Sequence, residues 1–120
     1  MALILVVDPD EVFTNFANFV LKSGGHDCLT AANGTEAVAL YRSMASRIDL
    51  VLTALTMRGM DGVQAILRIR MSRQDAKIIC MTEFPEDRPP KGTHVLMKPF
   101  SPEALHACVD HALRRTAYAA

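Results

Sequence analysis

Short apolar runs alternate with longer stretches in which apolar residues recur every three or four positions. Leu3 to Val7 is a continuous run rich in Val and Ile, too short for a helix. It reads as a strand covered on both faces, as in a parallel sheet. From Asp10 the period changes: Val12, Phe13, Phe16, Phe19 and Val20 predict a helix with one apolar face, stopped by Gly24-Gly25. A short strand over 27–31 follows. Asn33-Gly34 reads as a turn, and Thr35 as the cap of a helix carrying Ala37, Val38, Leu40, Tyr41 and Met44. Asp49 to Ala54 is a third strand. Arg58 to Gly62 is a loop before a helix from Val63 to about Met71, and Lys77 to Met81 is a fourth strand.

The regularity then breaks. Glu83 to Thr93 holds Pro85, Pro89 and Pro90, which forbid a regular helix interior. His94 to Met97 is a fifth strand. Ser101 caps a last helix with Pro102 at its first position, where the missing N–H costs nothing. That helix is expected to bury Leu105, Cys108, Val109, Ala112 and Leu113 and to end near Arg115. Strands alternating with helices predict an α/β, doubly wound, five-stranded parallel sheet with helices on both faces. The working site of such folds lies beyond the carboxyl ends of the strands. The residues at those ends are Asp8, Pro9, Asp10, Ala54, Thr82 and Lys98.

Composition narrows the classes. One chain of 120 residues, half of them hydrophobic and 22% charged, is expected to form a single globular domain over 1–120. Thirteen basic residues balance thirteen acidic ones, so no global field attracts nucleic acid or an acidic membrane. No apolar run is long enough to span a bilayer, and the start lacks the basic region of a secretion signal. Cys28, Cys80 and Cys108 are far apart and odd in number, with no zinc-ligand spacing. They read as reduced, buried thiols of a cytoplasmic protein.

Five motifs in order carry a resemblance: Ile4-Leu5-Val6-Val7-Asp8, Asp49-Leu50-Val51-Leu52, Gly59-Met60-Asp61-Gly62, Ile78-Ile79-Cys80-Met81-Thr82 and Lys98-Pro99-Phe100. Together they resemble the receiver domain of two-component response regulators, over essentially the whole chain. The resemblance implies a flavodoxin-like sheet of order 2-1-3-4-5. It also implies phosphoryl transfer from a histidine kinase to an aspartate ending the third strand. In that family two acidic residues after the first strand help hold Mg²⁺. A Lys after the fifth strand pairs with the phosphoryl group, and a Ser or Thr after the fourth moves to hydrogen-bond it. An aromatic residue three positions before the Lys rotates in the switch.

This sequence keeps part of that apparatus. Asp8, Thr82 and Lys98 match; the second acidic position is Pro9, the acceptor position is Ala54, and the switch aromatic position is Val95. The loop proline usual after the acceptor is Arg58. The interval from Thr82 to Lys98 is short, so the fourth helix is expected to be shortened or lost. A methyl group is no nucleophile, and one carboxylate is a poor Mg²⁺ donor set. The implied protein is a degenerate receiver, or pseudo-receiver, without a catalytic residue or a metal site. Its role would be protein–protein interaction with a histidine kinase or another regulator, with a homodimer as a further option. No output domain is expected in this chain. Two alternatives follow from the same residues: a sensor of a small anion or metabolite in the vacated acidic pocket, and a conventional receiver if Ala54 is an engineered substitution.

Other residues carry ordinary readings. Lys98 is expected to pair with Asp8, and Thr82 to bond local backbone. Asp10 belongs to the start of the first helix, and Asp61 and Asp49 to turns. His106 and Asp110 share a helix face at i, i+4, which reads as solvated, as does the local patch of Arg68, Arg70 and Arg73. Met57, Met60, Met71, Met81 and Met97 read mostly as core filler.

Overall fold

A computed structural model describes residues 1–57 and 59–114. The elements are β1 (Leu3–Val7), α1 (Glu11–Ser23), β2 (Asp27–Ala31), α2 (Gly34–Met44), β3 (Leu50–Ala54), α3 (Gly62–Ser72), β4 (Ile78–Thr82), β5 (His94–Met97) and α4 (Pro102–Arg114). All four strand pairs are parallel, and the sheet order is β2-β1-β3-β4-β5, as the resemblance implies. Arg58 and Arg115 lie outside the described residues.

The strands are apolar on both faces because helices cover both. Ile4, Val6, Leu52, Ile79 and Met81 meet α1 and α4 through Ala17, Leu21, Leu105 and Val109. Leu5, Val7, Val51, Ile78 and Cys80 meet α2 and α3 through Ala37, Tyr41, Ala65 and Ile66. Burial of this kind is the main stabilising term, worth roughly 25 cal/mol per Å² of apolar surface.

The edge at β5 is covered differently. The connection over 83–93 forms turns and no helix, as its prolines dictate. Leu96 turns toward α1 and α4, whereas Val95 and Met97 face the other way and are 47% and 40% exposed.

Several sequence expectations need correction. Val12 and Phe19 are exposed: the buried stripe of α1 runs through Thr14, Ala17, Val20 and Leu21, with Phe13 and Phe16 half-buried at its edge. The cap of α2 is Asn33, whose side chain accepts the Glu36 N–H at 2.8 Å, so the helix begins before Thr35. Asp61 likewise caps α3 in a reciprocal box with Gln64. Met71 and Met97 are exposed, while Met57 and Met81 are buried. Of the thiols only Cys80 is buried; Cys28 and Cys108 are half-buried, as is Leu113. Ser101 and Pro102 do start α4 as expected, with Ser101 Oγ accepting the Ala104 N–H at 3.1 Å.

Candidate functional site

The carboxyl ends of β1, β3, β4 and β5 converge on one crevice. Asp8 follows β1 and is buried. Its Oδ2 accepts from Lys98 Nζ at 2.7 Å, and its Oδ1 accepts the Asp10 backbone N–H at 2.9 Å. Both oxygens are therefore engaged within the chain. Asp10 is turned away: its carboxylate caps α1 by accepting the N–H groups of Val12 and Phe13. Pro9 between them contributes no donor.

Lys98 is placed by the sheet. Its N–H donates to the Thr82 carbonyl at 2.8 Å, prolonging the β4–β5 ladder by one residue. Its ammonium also lies 4.1 Å from the centre of the Phe13 ring, a cation–π contact. Phe13 belongs to an aromatic cluster with Phe16 and Phe100, in which Phe13 and Phe100 meet edge-on at 5.7 Å. Opposite charges centred ~4 Å apart attract by about 4 kcal/mol at an effective dielectric of ~20, before desolvation is subtracted, and the Lys98–Asp8 pair is at least that close.

Ala54 ends β3, paired in register with Met81 and buried. The fold packs closely behind it. A Cβ on Gly62, at the start of α3, would come within 2.3 Å of the Ala54 carbonyl oxygen, so only glycine fits there. In front of Ala54 lies a cavity of about 250 Å³ bounded by Met81, Thr82, Phe84 and Lys98. Space for a larger side chain at position 54 therefore lies on the crevice side.

Thr82 ends β4 and is buried. Its hydroxyl donates to Asp87 Oδ2 and accepts the Phe84 N–H at 3.1 Å. The hydroxyl thus keeps the local backbone contacts expected of it, the Phe84 carbonyl lying 3.4 Å away, and its nearer acceptor is the Asp87 carboxylate, which the sequence reading passed over. The available signal was Phe84-Pro85-Glu86-Asp87, with proline at the second position of a turn. Phe13 as a partner of Lys98 had no such signal, because helix periodicity assigns it only to the apolar stripe. Val95 lies on β5 outside the crevice, half exposed and away from the α1–α4 face.

The other candidates do not join this site. Asp61 caps α3, and Asp49 Oδ2 accepts the Leu3 N–H at 2.8 Å at the opposite end of the sheet. Arg73 pairs with Asp75 at 3.2 Å, with both side chains largely exposed. His111 meets His94 edge-on at 5.3 Å. No group of three or more His, Cys, Asp or Glu placed to hold a metal occurs among the described residues. No helix among them is long and apolar enough to cross a membrane. Burial pushes the Cys80 thiol up to about 11, its hydrogen bond with Thr93 opposing only part of the shift.

The family described as the response regulator receiver domain matches residues 4–110. The alkaline phosphatase synthesis transcriptional regulatory protein PhoP of Bacillus subtilis is 28% identical over 98% of this chain and 50% of its own length. The DNA-binding response regulator MtrA of Mycobacterium tuberculosis is 31% identical over 93% of this chain and 50% of its own length. The chain thus spans about half the length of these two relatives. Among solved structures, the chemotaxis protein CheY4 of Vibrio cholerae superposes with a TM-score of 0.82 at 28% identity, covering 93% of this chain and 98% of that one. Sheet order, converging strand ends and matched residues agree: the chain belongs to the response regulator receiver domain family of two-component signalling.

Proposed function

We propose that this chain is a pseudo-receiver: a signalling module that is not phosphorylated at residue 54 and acts by protein–protein interaction. The observation that carries the reading is Ala54 at the end of β3, where a methyl group offers no nucleophile. The surrounding groups support it. Mg²⁺ wants near-octahedral oxygen ligation with one or two carboxylates. Here both oxygens of the buried Asp8 carboxylate are already bonded within the chain. Asp10 is committed to capping α1. These residues do not fit the ion.

The paired Lys98 also disfavours the anion-sensor reading, since an incoming anion would compete with a carboxylate at 2.7 Å. The conventional-receiver reading needs an aspartate where Ala54 stands. A module of this kind is not an enzyme. It works in the cytoplasm, with a histidine kinase or another regulator as partner, and needs no nucleic acid of its own. The face that differs most from a regular doubly wound sheet supplies the contact: Phe84 is exposed there, as are Val95 and Met97 on the side of β5 away from α1 and α4.

The test is chemical labelling. The chain is incubated with Mg²⁺ and either acetyl phosphate or a phosphorylated histidine protein. No acid-stable, hydroxylamine-sensitive phosphate is expected. Stoichiometric label of that kind would overturn the proposal.

A further inference from the structure

The segment Glu83–Thr93 is tied back to the site by one side chain. Pro85 and Glu86 occupy the centre of a turn closed by the Asp87 N–H on the Phe84 carbonyl at 3.1 Å. Proline is preorganised for the second position of such a turn. The turn brings the Asp87 carboxylate over the end of β4, where Oδ2 takes the Thr82 hydroxyl proton. Arg88 braces the same turn, its Nη1 donating to the Glu86 carbonyl at 3.1 Å. Asp87 is only half-buried, whereas Thr82 is 5% exposed.

A hydroxyl has one proton to donate. While Asp87 holds it, Thr82 has none to offer to the cavity beside Ala54. The acceptor side of the hydroxyl is also used, by the Phe84 N–H at 3.1 Å. Both functions of Thr82 are therefore spent on the segment that replaces the fourth helix. An ionised acceptor makes the stronger kind of hydrogen bond, about twice a neutral one.

We propose that Asp87 is an internal latch: it stands in, from within the chain, for the group at residue 54 that the Thr82 hydroxyl would otherwise meet. The latch fixes the Phe84–Asp87 turn in one conformation, so the surface around Phe84 is presented constantly, without a phosphoryl signal. This deepens the pseudo-receiver reading and rests on it for the word "constantly"; the hydrogen-bonded latch itself does not depend on it.

The experiment is hydrogen exchange of the backbone amides over 83–93, followed by mass spectrometry on the unphosphorylated chain. The variants are Asp87→Ala, Asp87→Asn, Thr82→Val and the double variant Thr82→Val with Asp87→Ala. Losing a charge-assisted bond should raise exchange in this segment about tenfold in each of the alanine and valine variants. The double variant should exchange no faster than Thr82→Val alone, which already lacks the Asp87 bond together with the Phe84 N–H bond. Asp87→Asn keeps an acceptor oxygen and should rise less than about threefold. A segment unchanged by Asp87→Ala overturns the latch, as do effects that multiply in the double variant. Should Asp87→Ala fail to fold, Asp87→Asn decides, made both in the unaltered chain and in Thr82→Val, which already lacks the Thr82 hydroxyl: faster exchange in the first background alone supports the latch, and an equal change in both overturns it. No labelling at residue 54 enters this measurement, so the latch and the pseudo-receiver reading fail separately.

Discussion

The two halves of the strand-end crevice satisfy their polar side chains in different ways. The half made by β1 and β5 keeps its charges and pairs them: Asp8 and Lys98 lie 2.7 Å apart, with the carboxylate 3% and the ammonium side chain 19% exposed. The half made by β3 and β4 has lost its charge at Ala54, and its remaining polar group, Thr82, is bonded to Asp87 from the helix-less segment. In each half the buried polar side chain, Asp8 or Thr82, is bonded within the chain, so the buried polar residues at these strand ends are satisfied within the fold. A buried Asp needs a cation once it is there, and a buried hydroxyl needs an acceptor.

The sharpest way to break this comparison is to invert the charge in the first half. Lys98→Glu sets a second carboxylate against the buried Asp8. Breaking a buried pair costs about 3–5 kcal/mol. Chemical denaturation should show a loss of that order or an unfolded chain. A loss below about 0.5 kcal/mol, the range of ordinary surface substitutions, would mean that the pair is not structural.

A smaller effect sharpens the second half. Cys80 on β4 is fully buried, and burial raises its thiol from 9.0 to about 11. The neutral thiol is thus favoured in the fold. Its contribution to stability is whole below the ordinary thiol value and is lost as pH climbs through about 11. At pH 8 Cys80 should react with a disulfide reagent more slowly than half-buried Cys28 and Cys108, and all three should react on unfolding. Equal rates for all three cysteines in the native chain would contradict the packing.

Most of the fold was legible because its signals are local. Five apolar runs bounded by Asp, Gly or Pro mark the five strands, and the prolines at 85, 89 and 90 mark the missing helix. What failed was finer. Val12 and Phe19 fit a helical apolar period, yet the face of α1 against the sheet is set by tertiary packing, and they fell outside it. Thr35 and Asn33 are both good caps; the one whose side chain reaches the Glu36 N–H won. In the site, Asp8, Thr82 and Lys98 were visible from their places at strand ends. Asp87 was not, because its role depends on a turn folding back over β4, and turn geometry is not written in hydrophobic period.

The account turns on one claim: that the retained charges serve each other. A double-mutant cycle of Lys98→Met and Asp8→Asn, read by chemical denaturation, measures this directly. Lys98→Met leaves a buried carboxylate unpaired and should cost about 1–3 kcal/mol. Adding Asp8→Asn removes that orphan charge and should restore part of the loss, giving a coupling of about 1 kcal/mol or more. Strictly additive losses, with no coupling between Asp8 and Lys98, would contradict the account.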